Sequence, residues 1–166
     1  MNENSDLATN QYLTFNLDDG HYAIGISEVR EVLDFTHVTK VPRTPDFMRG
    51  VINLRGSVVP VVDLRLQLGM TMGTKTVDTC IVIVEIDLED SLLIIGLLAD
   101  SVQEVVDIDS ANVAPPPTMG SHLNLEFIKG IGKQDDKFII ILEIDKILSR
   151  GDINSMQSAV NSDLAA

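Results

Sequence analysis

Arg49-Gly50-Val51-Ile52-Asn53-Leu54-Arg55-Gly56-Ser57-Val58-Val59-Pro60-Val61-Val62-Asp63-Leu64-Arg65 decides how this chain folds. Two β-branched runs, Val51-Ile52 and Val58-Val59-Pro60-Val61-Val62, flank an Asn-Leu-Arg-Gly turn. β-branched side chains suit a pleated, buried surface, so both runs predict strands. Gly56 suits the turn, because a positive φ costs nothing without a Cβ. The turn therefore presents Arg55 at a strand end. A planar guanidinium held there is a docking anchor that can pair a carboxylate and stack. The competing reading is a solvated turn arginine.

On the N-terminal side, Leu13, Phe15 and Leu17 alternate, Asp18-Asp19-Gly20 signals a hairpin, and Tyr22, Ile24 and Ile26 return. Val29, Val32 and Leu33 take helical spacing within a Val-rich segment, so Ser27 to Asp34 stays open between helix and strand. Pro42 and Pro45 mark a loop. Leu64 and Leu68 predict a short helix capped by Gly69. Residues 70–78 read as a connector. Further on, Thr79 to Ile86 and Leu92 to Leu98 are strands around an acidic turn. Val102, Val105 and Val106 repeat the helical spacing, and Pro115-Pro116-Pro117 begins a stiff loop. Phe127 to Gly132 and Phe138 to Leu142 are strands, and Ile144, Ile147 and Leu148 a last helical stripe ending at Gly151. Residues 1–10 and 152–166 read as flexible tails, the latter with Ile153, Met156 and Val160 as weak amphipathic marks.

The same pattern occurs twice. Asp46-Phe47-Met48-Arg49-Gly50-Val51 aligns with Glu126-Phe127-Ile128-Lys129-Gly130-Ile131, 80 positions later, and Val58 to Val62 aligns with Phe138 to Leu142. Ile24-Gly25-Ile26 matches Ile95-Gly96-Leu97, and Val29-Arg30-Glu31-Val32 matches Val102-Gln103-Glu104-Val105. A repeat implies two similar halves, about 11–69 and 79–151, within one domain spanning 11–150. Five short strands per half favour small closed barrels, which remove exposed edges. Units this small bury a marginal core alone, so the halves share a central apolar interface, with a groove at their junction. At the turn, Asn53-Leu54-Arg55-Gly56 becomes Lys133-Gln134-Asp135-Asp136, so the fold itself does not require Arg55.

Bulk properties exclude several classes. A net charge of −13 over 166 residues argues against nucleic acid and anionic membranes, both of which need a basic footprint. The longest apolar run, Leu92 to Ala99, falls far short of the ~18 residues of a membrane span. The single Cys80 excludes an internal disulfide and a cysteine zinc cluster. No secretory leader opens the chain, so the cytoplasm is expected. His21, His37 and His122 are scattered, and Ser27, Ser57 and Ser91 lack a nucleophile frame. Gly130-Ile131-Gly132-Lys133 lacks the phosphate-loop pattern. Asp18, Asp19, Asp87, Glu89, Asp90, Asp135 and Asp136 sit at turns without calcium-loop spacing. The residues thus describe a duplicated all-β interaction module without catalytic chemistry.

The stretch Phe47 to Gly56, followed by Val59-Pro60-Val61-Val62-Asp63-Leu64-Arg65, resembles the signature of the CheW family of bacterial chemotaxis coupling proteins. The resemblance runs from Gln11 to Arg150 and includes Gly25, Val29 to Val32, Ile95 to Asp100 and Phe127 to Gly130. It implies an all-β fold with a few short helices: two intertwined five-stranded SH3-like barrels sharing a central core. It implies an adaptor between the cytoplasmic tips of chemoreceptors and the regulatory domain of the histidine kinase CheA, with rings formed with other CheW-like domains. No cofactor, metal or catalytic activity is implied, nor the receiver domain of the CheV variant. Position by position, the resemblance assigns receptor contact to Arg55, Glu31, Val29, Gly50, Gly96 and Val102, with Glu31 orienting Arg55. Kinase contact is placed at Ile52, Leu54 and Val58, near the end of the first barrel. Two alternatives remain open: coupling in a type IV pilus or other non-flagellar pathway, and a small-molecule binder or enzyme using the groove.

Overall fold

The computed structural model describes residues 11–88, 91–116 and 126–165, with side chains described as far as 158. The N-terminal tail, Glu89-Asp90, the Pro117 end of the proline loop and His122 lie outside the described residues. The first repeat supplies β1 (Gln11–Leu17), β2 (Gly20–Gly25), β3 (Val29–Asp34), β4 (Met48–Leu54), β5 (Ser57–Asp63) and a helical turn, α1 (Leu64–Gln67). The second supplies β6 (Cys80–Leu88), β7 (Ser91–Ala99), β8 (Ser101–Asp107), β9 (Val113–Ala114), β10 (Ile128–Gln134), β11 (Lys137–Leu142) and α2 (Ile144–Ile147). A last helix, α3, runs Arg150–Ala165.

Two sheets form, ordered β3-β6-β7-β5-β4 and β8-β1-β2-β11-β10-β9. Each takes the opening hairpin of one repeat and the closing strands of the other. The chain is therefore intertwined, and neither sheet corresponds to one sequence half. Parallel seams close the exchange: β5 on β7 at Val61↔Gly96, and β11 on β2 at Ile140↔Tyr22. The second sheet carries six strands rather than the expected five, because β9 adds a short edge along β10. Its counterpart in the first sheet is a single bridge, Thr39 to Val51.

Strand alternation sorts the side chains into three apolar clusters. On β6, Val82, Val84 and Ile86 face a central cluster between the sheets, while Ile81 and Ile83 fill the first barrel. On β1 and β2, Leu13, Phe15, Tyr22 and Ile24 face the centre, while Tyr12 and Ala23 fill the second barrel. The expected common core is therefore present, between two SH3-like barrels with fillings of their own.

Segment 29–34 is strand β3, entered through a 3-10 turn at Ile26–Glu28. Segment 101–107, with the same helical spacing, is strand β8. Bulges explain the misleading period. Phe15 pairs Val102 and Leu13 pairs Val105, so β8 spends three residues where β1 spends two. At the C-terminal end Arg150–Ala165 is a helix, and Ser149 and Asp152 form a capping box at its start. The Asp152 N–H donates to Ser149 Oγ at 3.0 Å and the Ser149 N–H to Asp152 Oδ2 at 3.1 Å. Met156 is then completely buried in the central cluster, and Gly151 lies inside this helix rather than ending the previous one.

Two carboxyls link the sheets to pH with opposite signs. Burial works against the Asp100 charge, but the hydrogen bond from Arg65 and the Asp18 N–H at 2.7 Å outweigh it and hold this carboxyl below its usual value. Its stabilisation is present above the unfolded carboxylate pKa and is lost as pH falls through the depressed folded value. Burial, then Asp145 and Glu143, raise Glu28 above its usual value. The stability associated with its neutral form is complete below the unfolded pKa and is lost as pH rises through the raised one. Glu28→Gln is therefore expected to raise the melting temperature at pH 7 and to leave it unchanged below the unfolded carboxylate range. A matched rise at both pH values would show that the gain is not electrostatic.

Candidate docking groove

The Arg55 turn is fixed by its backbone. Arg55 has φ +51° and Gly56 φ +88°, the two positive values of a tight hairpin turn whose twist matches the flanking strands. Asn53 Oδ1 accepts the Gly56 N–H at 2.8 Å. The equivalent turn of the second repeat, Asp135-Asp136, has φ +48° and +67°. Backbone geometry is thus conserved between the repeats while the side-chain chemistry is reversed from basic to acidic.

Arg55 is paired across the strand edge with Glu31 of β3. Nη1 donates to Oε1 at 3.4 Å, and Nη2 makes a closer contact with Oε2. The arginine side chain stays 71% exposed and the glutamate 27%. Two anchoring donors fix the fork while leaving much of it open to a partner. Beside them Arg30 Nε lies 3.7 Å from Glu85 Oε2. Arg30, Glu31 and Arg55 supply the charge of a groove of about 600 Å³. Its floor is apolar, with Leu54, Val58, Pro60, Leu93 and Ile94. Met156 and Gln157 of α3 line the groove too. Such a trough, apolar below and charged along one rim, suits an amphipathic helix better than a small polar substrate.

The nine residues singled out from sequence separate into three groups. Glu31, Leu54, Arg55 and Val58 share the groove, so the expected split between receptor and kinase positions does not correspond to two faces here. Val29 and Val102 are half-buried on β3 and β8 and pack on the central cluster. Ile52, Gly50 and Gly96 are buried. Ile52 is 3% exposed inside the first barrel, so its side chain cannot form a partner contact in this fold. A Cβ on Gly96 would lie 2.7 Å from Ile81 Cγ2, and one on Gly50 would lie 2.2 Å from the Thr39 oxygen. Both glycines are packing requirements. The groove draws on both sequence halves, through Arg30 to Pro60 of the first and Leu93 and Ile94 of the second, and on α3 as well. Met156 and Gln157 were not among the expected site residues; the Ile153-Met156 spacing was their sole sequence signal.

Behind the groove, ion pairs brace the turns. Arg49 Nη1 meets the buried Asp63 at 2.9 Å, and Asp63 Oδ1 also accepts the Leu66 N–H that opens α1. Arg65 donates from Nε to Asp100 Oδ1 at 3.0 Å, tying α1 to the end of β7. Burial pushes the Cys80 thiol up to about 11, so this cysteine behaves as a small core residue. Among the described residues no cluster of His, Cys, Asp and Glu is arranged to hold a metal, and no helix is long and apolar enough to cross a membrane.

Interleaved barrels with an open, rim-charged groove define a protein-docking scaffold. The chain belongs to the CheW-like domain family, whose model matches residues 11–152. It is 34% identical over 141 residues to a chemotaxis protein CheW from Helicobacter pylori, covering 84% of this chain and 82% of that one. It is 30% identical over 152 residues to a chemotaxis protein CheW from Klebsiella aerogenes, covering 92% and 89%. A crystal structure of the scaffolding protein TtCheW from Thermoanaerobacter tengcongensis superposes with a TM-score of 0.75 at 36% identity, covering 87% of this chain and 95% of that one. The chain is accordingly a chemotaxis scaffold of this family and not an enzyme.

Proposed function

We propose that this protein couples chemoreceptors to the histidine kinase CheA by binding both at once. It works in the cytoplasm, recruited to receptor arrays at the membrane. One observation carries the receptor half: Arg55, held by Glu31, lines the same groove as the apolar Leu54 and Val58. A receptor tip, a helical hairpin, would lay an apolar stripe on Leu54 and Val58 and offer a carboxylate to Arg55. Val29, Gly50, Gly96 and Val102 act through the packing that fixes this edge. The kinase's regulatory domain, of related fold, meets a barrel end away from the groove floor, and other CheW-like domains can do the same in rings.

The test is amide chemical-shift mapping of the full chain, first with a receptor-tip fragment and then with the kinase's regulatory domain. Two separate footprints are expected, with the first centred on Glu31, Leu54, Arg55 and Val58. A shared footprint with mutual displacement would rule out bridging.

A further inference from the structure

The helix α3 is attached to the molecule in an unusual way. Its first turn is fixed by the Ser149–Asp152 capping box and by Gln67, whose Nε2 donates to the Ile147 oxygen at 2.9 Å and to Asp152 Oδ2 at 3.3 Å. One turn later Met156 is wholly buried in the central cluster, with Ile153 packed beside it. The neighbouring Gln157 is half-buried and faces two hollows. One is the docking groove. The other, about 420 Å³, lies on the far side against Leu88, Leu148 and Ile153. The helix is therefore a ridge between them, seated by Met156 and topped by an amide.

We propose that α3 is the neutral wall of the docking groove and that Gln157 limits which helix faces the groove accepts. This rests on the receptor-docking reading above. The groove is chemically lopsided. The charge of its lining comes from Arg30, Glu31 and Arg55 of β3 and the β4–β5 turn, while Met156 and Gln157 of α3 contribute none. An incoming helix therefore turns its acidic flank to Arg55 and its uncharged polar flank to Gln157, which can donate and accept. The cations of the groove lining, Arg30 and Arg55, come from β3 and the β4–β5 turn, so a carboxylate set against α3 within the groove would be desolvated beside an amide, which the site penalises. Reversing the helix's rotation about its own axis is thus disfavoured, and the two walls set the docked face.

The experiment titrates the full chain with a receptor-tip hairpin fragment. Gln157→Trp puts bulk into the groove, whereas Ser158→Trp puts the same bulk on the exposed face of the same helix. Gln157→Trp is expected to weaken binding about tenfold or more, as overfilling a packed contact does. Ser158→Trp is expected to leave affinity within about twofold, as surface changes do. In the unmodified chain the fragment should also shift the amides of residues 156–158. Undiminished binding by Gln157→Trp, in a protein whose Arg55→Asp variant has lost binding, overturns the wall and keeps the groove. Silent amides at 156–158 on saturation overturn it as well. If the fragment ignores Arg55→Asp too, the docking reading fails and the wall with it.

Discussion

Gly50→Ala is expected to lower the unfolding free energy by about 4 kcal/mol, combining overpacking with left-handed backbone strain. Gly50 has φ +148°, which L side chains rarely adopt. An added Cβ would lie 2.2 Å from the Thr39 oxygen, 2.7 Å from its carbonyl carbon and 2.8 Å from Val38 Cγ1. The first two are backbone atoms, and they are not free to retreat. Thr39 exchanges both hydrogen bonds with Val51, each at 2.8 Å, and this bridge is what lays the loop after β3 across β4. Relief by loop movement would break the bridge, so the cost appears either as strain or as lost hydrogen bonds. For a chain of this size the melting temperature should fall by about 10 °C. Gly56→Ala is the control. Gly56 also has positive φ, +88°, but nothing lies within 4 Å of its Cβ position. Its cost should be the dihedral alone, about 1–2 kcal/mol. Urea unfolding of both variants separates the causes. Equal losses would mean that crowding at Thr39 contributes nothing.

The repeat was legible because its carriers are local. The β4–β5 and β10–β11 hairpins each alternate β-branched residues around a two-residue turn, and they recur with an offset of 80 down to single hydrogen bonds. The Asp63 N–H donates to the Phe47 oxygen at 2.6 Å, and the Glu143 N–H to the Phe127 oxygen at 2.7 Å. The exchange of hairpins between sheets was not legible from residues, because partner choice in a sheet is tertiary. Strand β3 was ambiguous for a local reason: Val29 pairs Val84 while Glu31 pairs Ile83, and the extra residue breaks the two-residue period. Half of the groove could be read in advance. Arg55 and Glu31 lie 24 positions apart; the turn that carries Arg55 had a clear signal, whereas Glu31 came from the resemblance, its own segment being open between helix and strand. The α3 lining had almost no signal. Its helix is polar on most positions and is held by a capping box and one methionine, a combination that composition alone reads as a loose tail.

Arg55→Asp is expected to weaken receptor-fragment binding by about 2–4 kcal/mol, some 30- to 1,000-fold, as charge reversal at a hot spot does. The fold should barely register it. The Arg55–Glu31 pair is exposed, and such pairs contribute about 1 kcal/mol or less. Melting temperature and affinity should therefore part company, the signature of a contact residue rather than a packing one. Gly50→Ala should show the converse, a large stability loss with weaker binding only as a consequence. The role of Glu31 can then be isolated. Glu31→Gln keeps the shape and removes the charge that orients the fork. The freed side chain must be ordered on docking, which costs about 0.5–1.5 kcal/mol and gives a smaller loss than the Arg55 change. Swapping the pair, Glu31→Arg with Arg55→Asp, restores the ion pair with its polarity reversed. If Arg55 meets a carboxylate on the partner, the swapped protein folds normally and still fails to bind. Recovery of affinity in the swap would mean that the pair matters only for holding the strand edge. Wild-type affinity in Arg55→Asp alone would return this residue to a solvated turn arginine and remove the contact on which the docking reading of the groove rests.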